Sequence, residues 1–316
     1  MAQSWYSVVD EEMASIDEMI RKGVRSSYPE LNEMCENALN SRYHEVRPAL
    51  SVLSYYANGG KTASEAVANA ICFEASFDGL HLHDRIDSNG KVLSGRKKKL
   101  FGKEPSTTKV IVAGDFMYVM GFRQAYSHSP KAVPYMMQAS ATISNAIFDL
   151  TDRMRDPEIS EEDVWDLMKR KSAVEFQIIM ESAANQAGAG EDALARMKEC
   201  GMYIGSAVQI RSDMDDLFGI EGEKPLCHTL VTGYPTLALY HAMNDASIGQ
   251  KVKDAYTNEN LDPKQAKAVA DLIKGSETIS KCEQAIEVCK KNASDIIDGL
   301  PDSEYKAALK EFLQTI

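Results

Sequence analysis

Apolar residues recur at helical spacing along most of this 316-residue chain, and residues that end helices are few. Val9, Met13, Ile16, Met19 and Ile20 share one face of a helical stretch from Tyr6 to about Ala38. Arg47 to Ala57 reads as a second helix, closed by the turn Asn58-Gly59-Gly60. Ala63 to Ile86, rich in alanine and phenylalanine, reads as a long helix with Thr62 or Ser64 as its cap. Val110-Ile111-Val112 has strand propensity but runs on into Met117-Tyr118-Val119-Met120. The run is too long and unbroken for a half-buried strand, so a buried helix is expected, ending at Pro130. Val133 to Met154 follows as another helix. Ser160-Glu161-Glu162-Asp163, a capping box with Asp in place of Glu, opens a helix through Ala187 that Gly188-Ala189-Gly190 ends. Further helices run over Asp192 to Phe218, Pro235 to Met243, from Asp262-Pro263, from Ser280 to Gly299, and from Ser303 to the end. The 19 glycines and 10 prolines are too few for a chain of many hairpins. With no internal repeat and no low-complexity linker, the expectation is all-α: one domain over residues 1–316, a bundle of roughly ten or more helices.

Composition narrows the function. Charged residues are 26% and hydrophobic ones 44%, the balance of a globular protein. The net charge of −12 argues against nucleic acid, which selects basic surfaces. Arg96-Lys97-Lys98-Lys99 is the one dense basic run, and it falls in a polar stretch, Ser88 to Ser106, that reads as a solvated loop. The six cysteines are scattered without a C-x-x-C, as expected of reduced thiols in the cytoplasm. The first residues lack the basic-then-apolar pattern of a signal peptide, and no run of 18 apolar residues suggests membrane insertion.

Two places put carboxylates on one helical face. Asp84 and Asp87 lie three residues apart in His81-Leu82-His83-Asp84-Arg85-Ile86-Asp87, and Asp213 and Asp216 repeat that spacing after Gln209. Such pairs repel within a helix, but two of them on facing helices make a cage for a hard divalent cation. Magnesium takes one or two carboxylates, keeps waters and completes its shell with phosphate oxygens. A transition-metal site at His81, His83 and Asp84 is the local alternative, although His81 and His83, two apart, point to different sides of a helix.

From Arg47 to Leu239 the chain resembles the trans-isoprenyl diphosphate synthase, or polyprenyl synthetase, family. The resemblance is carried by Arg47-Pro48-Ala49-Leu50, by His83 to Asp87 on a first D-D-x-x-D motif, by Ala113-Gly114-Asp115 and by Lys171-Ser172-Ala173. It continues through Gln209-Ile210, Ser212 to Asp216 on a second such motif, Lys224-Pro225-Leu226 and Gly233-Tyr234-Pro235-Thr236-Leu237. It implies an isoprenoid-synthase-type bundle that holds Mg2+ through Asp84, Asp87, Asp213 and Asp216. It places Lys171, Gln209 and Lys224 at an allylic prenyl diphosphate, Arg47 among the substrate-binding residues, and Gly79 where the family sets the depth of the product tunnel. It also implies a dimer, either of identical chains or with a related subunit.

The departures from the family matter as much. His83 and Ser212 stand where each motif has its leading aspartate. Tyr43-His44-Glu45 replaces the basic residues before the Arg-Pro, Ser76 lies near the position of a family histidine, and Leu93-Ser94 lies near a family Arg-Arg pair. A desolvated diphosphate requires positive charge. The pattern therefore predicts a retained allylic site and a dismantled isopentenyl diphosphate site. It implies an enzyme that ionises an allylic diphosphate and uses another acceptor, or binds isopentenyl diphosphate through unusual contacts. A terpene-cyclase-like enzyme, a catalytically weak subunit of a heteromeric synthase, and an ordinary chain-elongating synthase in which Tyr43 to Glu45 do not face the cavity are the alternatives. Asp78 is an odd wall for a hydrocarbon, and a partner is expected for it in Arg85 or a neighbouring helix.

Overall fold

A computed structural model describes residues 5–40, 45–86, 90–92, 105–218 and 227–316. Fifteen α-helices make up this part of the chain. They are α1 (Asp10–Gly23), α2 (Pro29–Leu39), α3 (Val46–Ala57), α4 (Ala63–His83), α5 (Thr107–His128), α6 (Val133–Arg153), α7 (Glu161–Met168) and α8 (Val174–Gln186). They continue as α9 (Glu191–Phe218), α10 (His228–Thr232), α11 (Leu237–Met243), α12 (Gly249–Tyr256), α13 (Pro263–Lys274), α14 (Thr278–Asp298) and α15 (Glu304–Leu313). Among the described residues the only extended pairing is a single antiparallel bridge, Ile86 to Val92.

Two caps follow the sequence, while Thr62 stands at the start of α4 without a side-chain cap bond. Ser160 Oγ accepts from the Asp163 amide at 3.1 Å and opens α7. Asp262 and Gln265 form a reciprocal capping box with Pro263 in the first turn of α13. Val110 to Met120 is helical, inside α5.

Three boundaries differ from the sequence expectation. The stretch from Tyr6 to Ala38 is two helices, because Asn32 folds back to take the Ser26 amide at 2.8 Å and Pro29 starts a new helix. The long helix beginning at Ser160 is interrupted by a π turn, Lys169–Ala173, between α7 and α8. The helix expected to reach Ile86 ends at His83, with Asp84 at its C-cap.

α4 runs through the middle of the bundle. Every residue from Ala66 to Gly79 is buried, which a helix reaches only when neighbours cover all its faces. It lies against α5 at glycine contacts. A Cβ on Gly79 would stand 2.7 Å from the Gly114 carbonyl oxygen and 2.8 Å from the Tyr118 nitrogen. Gly79, expected at the product tunnel, therefore sets the approach of two helix backbones. On the other side α8 and the π turn lie against α9, where a Cβ on Gly205 would stand 2.7 Å from Ala173 Cα. These two close approaches bring the ends of α4, the π turn and α9 together.

Candidate active site

The π turn points Lys171 inward. Such one-turn insertions rotate the helix that follows and often sit at functional sites. Its neighbours go elsewhere: Lys169 Nζ lies over the Trp165 ring at 5.6 Å, and Arg170 pairs with Asp149 and Asp166. Lys171 Nζ donates to Asp84 Oδ2 at 3.0 Å and lies 5.6 Å from the centre of the Tyr234 ring. Burial alone would lower the Lys171 pKa, but the Asp84 carboxylate and then Tyr234 outweigh it and hold the ammonium above its ordinary range.

Tyr234 joins the two aspartate stretches. Burial pushes its phenol up to about 12. Lys171 opposes that shift, while the carboxylates of Asp84 on one side and Asp213 on the other add to it. Asp213, on α9, accepts from Gln209 Nε2 at 2.8 Å, one helical turn away. Lys171, Gln209, Asp213 and Tyr234 border a narrow cleft, partly open to solvent. Ala146, Leu150, Leu167, Met168 and Leu237 form its apolar wall.

Beneath Asp84 lies a buried ionic cluster. Arg47, 2% exposed, donates from Nε to Glu74 at 2.8 Å, from Nη1 to Glu175 at 3.1 Å and from Nη2 to Glu74 at 3.2 Å and Asp78 at 2.5 Å. Three carboxylates thus enclose the guanidinium that the sequence places among the substrate-binding residues. Asp78 thus pairs with a neighbouring helix, through Arg47. His81 links the cluster to the cleft, with Nε2 2.9 Å from Glu175 and Nδ1 3.5 Å from Asp84. Desolvation pulls the imidazole down, but Glu175 and then Asp84 raise its pKa to about 9. His83 turns the other way, to the Ile111 carbonyl at 3.1 Å and Asp115 at 3.4 Å, so the two histidines do not converge.

Asp216 is engaged in folding. It accepts the His228 amide at 3.2 Å, the Thr229 amide at 3.0 Å and the Thr229 hydroxyl at 2.8 Å, and so holds the first turn of α10. Asp216 is thus already engaged by three donors where the sequence places a metal ligand. Ser76 packs against α5, 3.5 Å from the Tyr118 carbonyl, and Glu45 accepts from the Tyr6 hydroxyl at 2.7 Å. Asp87, Lys224, Tyr43, His44, Leu93, Ser94 and Arg96 to Lys99 lie outside the described residues.

Asp84 and Asp213 are hard oxygen donors on two elements that meet at Tyr234. Among the described residues no three His, Cys, Asp or Glu side chains already form a coordination shell. The two carboxylates fit a cation that fills its other positions with water and phosphate oxygen.

The fold and site define an all-α bundle with a carboxylate-and-lysine cleft at its centre. The polyprenyl synthetase family matches residues 28–273. The chain belongs to that family and is an enzyme of the prenyltransferase, isoprenyl diphosphate synthase type, with the all-α isoprenoid synthase fold. It is 25% identical over 311 residues to an octaprenyl diphosphate synthase of Haemophilus influenzae, covering 96% of this chain and 92% of that one. It is 23% identical over 314 residues to the heptaprenyl diphosphate synthase component 2 of Geobacillus stearothermophilus, covering 98% and 96%. A polyprenyl synthase structure from Caulobacter crescentus, complexed with calcium and isoprenyl diphosphate, superposes with a TM-score of 0.84 at 18% identity, covering 98% and 95%.

Sequence reasoning passed over Tyr234 and Glu175 as site residues and weighed His81 only for a transition metal. Tyr234 was in view only within the Gly233 to Leu237 stretch. His81 was visible beside Asp84, and Glu175 four residues after Lys171, but nothing in their spacing shows that they meet.

Proposed function

We propose that this enzyme ionises an allylic prenyl diphosphate with Mg2+ at Asp84 and Asp213. The prenyl group goes to an acceptor other than isopentenyl diphosphate, or to that molecule through a modified site. The observation that supports this most is the Arg47 cluster: an arginine expected among the substrate-binding residues is enclosed by Glu74, Asp78 and Glu175. A bound magnesium supplies positive charge to the departing diphosphate. Lys171, released from Asp84, donates to a diphosphate oxygen as the allylic C–O bond breaks and its electron pair leaves with oxygen. Gln209 holds Asp213 in place. The apolar wall receives the hydrocarbon and keeps water from the cation. Lys224 and Asp87 join this set by family resemblance alone.

Purified protein with magnesium and allylic diphosphates of several lengths, with and without isopentenyl diphosphate, tests this through pyrophosphate release and product mass. Release without isopentenyl diphosphate supports another acceptor, or cyclisation. Elongated products formed only with isopentenyl diphosphate refute the dismantled second site.

A second reading, a weakly active subunit of a heteromeric synthase, has its own support. Asp216 is committed to α10, and Asp84 is neutralised by Lys171. Two relatives are described as a component 2. Val112, Val119 and Tyr126 on α5, with Met137 and Phe148 on α6, leave large apolar side chains exposed for a second chain, identical or related. Sedimentation of the wild type beside Val119→Glu tests association through these helices. No described helix is long and apolar enough to cross a membrane.

A further inference from the structure

Arg155 has an unusual backbone and an unusual set of partners. It follows α6 with φ +60°, a conformation that few side-chain-bearing residues adopt. Its Nη1 donates to the carbonyls of Tyr256 at 2.8 Å and Asn258 at 3.1 Å, and its Nη2 to that of Val231 at 2.6 Å. Its amide donates to the Gly233 carbonyl at 2.9 Å. The side chain also fills the space that a Cβ on Gly233 would need, and Gly233 itself sits at φ +74°. The next residue is Tyr234, whose amide donates to Thr229 at 2.8 Å and whose ring faces Lys171. The segment is thus held at its start by Asp216 and near its end by Arg155.

We infer that Arg155 is a positioning residue that ties the loop after α6 to the ends of α10 and α12 and so holds Tyr234 over Lys171. The inference rests on the proposed diphosphate role of Lys171. Backbone carbonyls are the natural partners here, since a planar guanidinium reaches three acceptors at once and a lysine ammonium spans them less well. The positive φ is retained because the surrounding bonds over-determine it.

Arg155→Gly removes the guanidinium while keeping the backbone unstrained, and Arg155→Lys keeps only the charge. Hydrogen exchange over 229–237 is expected to speed up about tenfold or more in Arg155→Gly and less in Arg155→Lys. Magnesium pyrophosphate binding, followed by calorimetry, is expected to weaken about tenfold in Arg155→Gly. Adding Tyr234→Phe should weaken it no further than the weaker single variant, because both changes act through one contact. Unchanged exchange overturns the inference. Losses that multiply across the two sites also overturn it, since they mean that Arg155 acts apart from Tyr234. A wild type that binds no magnesium pyrophosphate refutes the proposed function instead, and exchange still decides whether Arg155 holds the segment.

Discussion

Lys171 Nζ and Asp84 Oδ2 lie 3.0 Å apart, so the lysine expected to meet diphosphate already neutralises the carboxylate expected to meet metal. Cation and lysine therefore compete for one carboxylate. Lys171→Gln is expected to bind magnesium severalfold more tightly by calorimetry. The same variant should lose about 100-fold in kcat for pyrophosphate release, the usual order for removing a donor to developing negative charge. Tighter magnesium binding with full turnover would contradict the arrangement.

Asp216 supports a fold element, so its loss should be felt without metal. Asp216→Ala leaves two amides and a hydroxyl at the start of α10 without their acceptor and is expected to cost about 1–3 kcal/mol. Urea unfolding in the presence of a chelator measures this. A deficit that appears only with magnesium would return Asp216 to the metal site.

At Gly79 an added methyl meets backbone rather than open space. Gly79→Ala is expected to cost roughly 1–3 kcal/mol, seen as a lower Tm, because α4 and α5 must separate. An unchanged Tm with a shifted product length would show instead that the residue lines the tunnel.

His81 gives the fold a pH dependence. Its pKa rises from 6.5 to about 9, so the folded state holds the proton more tightly than the unfolded chain. The stabilisation is fully present below 6.5 and disappears as pH rises through about 9. The Tm gap between the wild type and His81→Gln, in metal-free buffer, should be widest near the acid end of that window and close above it. A gap that widens with pH would reverse the assignment.

The sequence made much of this architecture legible, for identifiable reasons. α3, α5 and α13 carry their own signals: apolar period, length and caps. Lys171, Gln209, Asp84 and Asp213 stood out as candidates, and the fold brings them around one tyrosine. What escaped depends on contacts between distant segments. The break before Pro29 needs Asn32 to fold onto Ser26. A five-residue π turn is too short to disturb an apolar period. Glu74 and Glu175 look like ordinary acids until α3 places Arg47 between them. The tie between Asp216 and the first turn of α10 was hidden because three-residue spacing says nothing of which way each carboxylate faces.

The Arg47 cluster also limits how this sequence can change. Removing the arginine strands three buried acids, and removing one acid leaves the rest unbalanced, steps that each cost about 3–5 kcal/mol when a buried pair is broken. Freeing this guanidinium for another partner would require several substitutions at once, on three separate helices. The cluster thus resists change by single mutation.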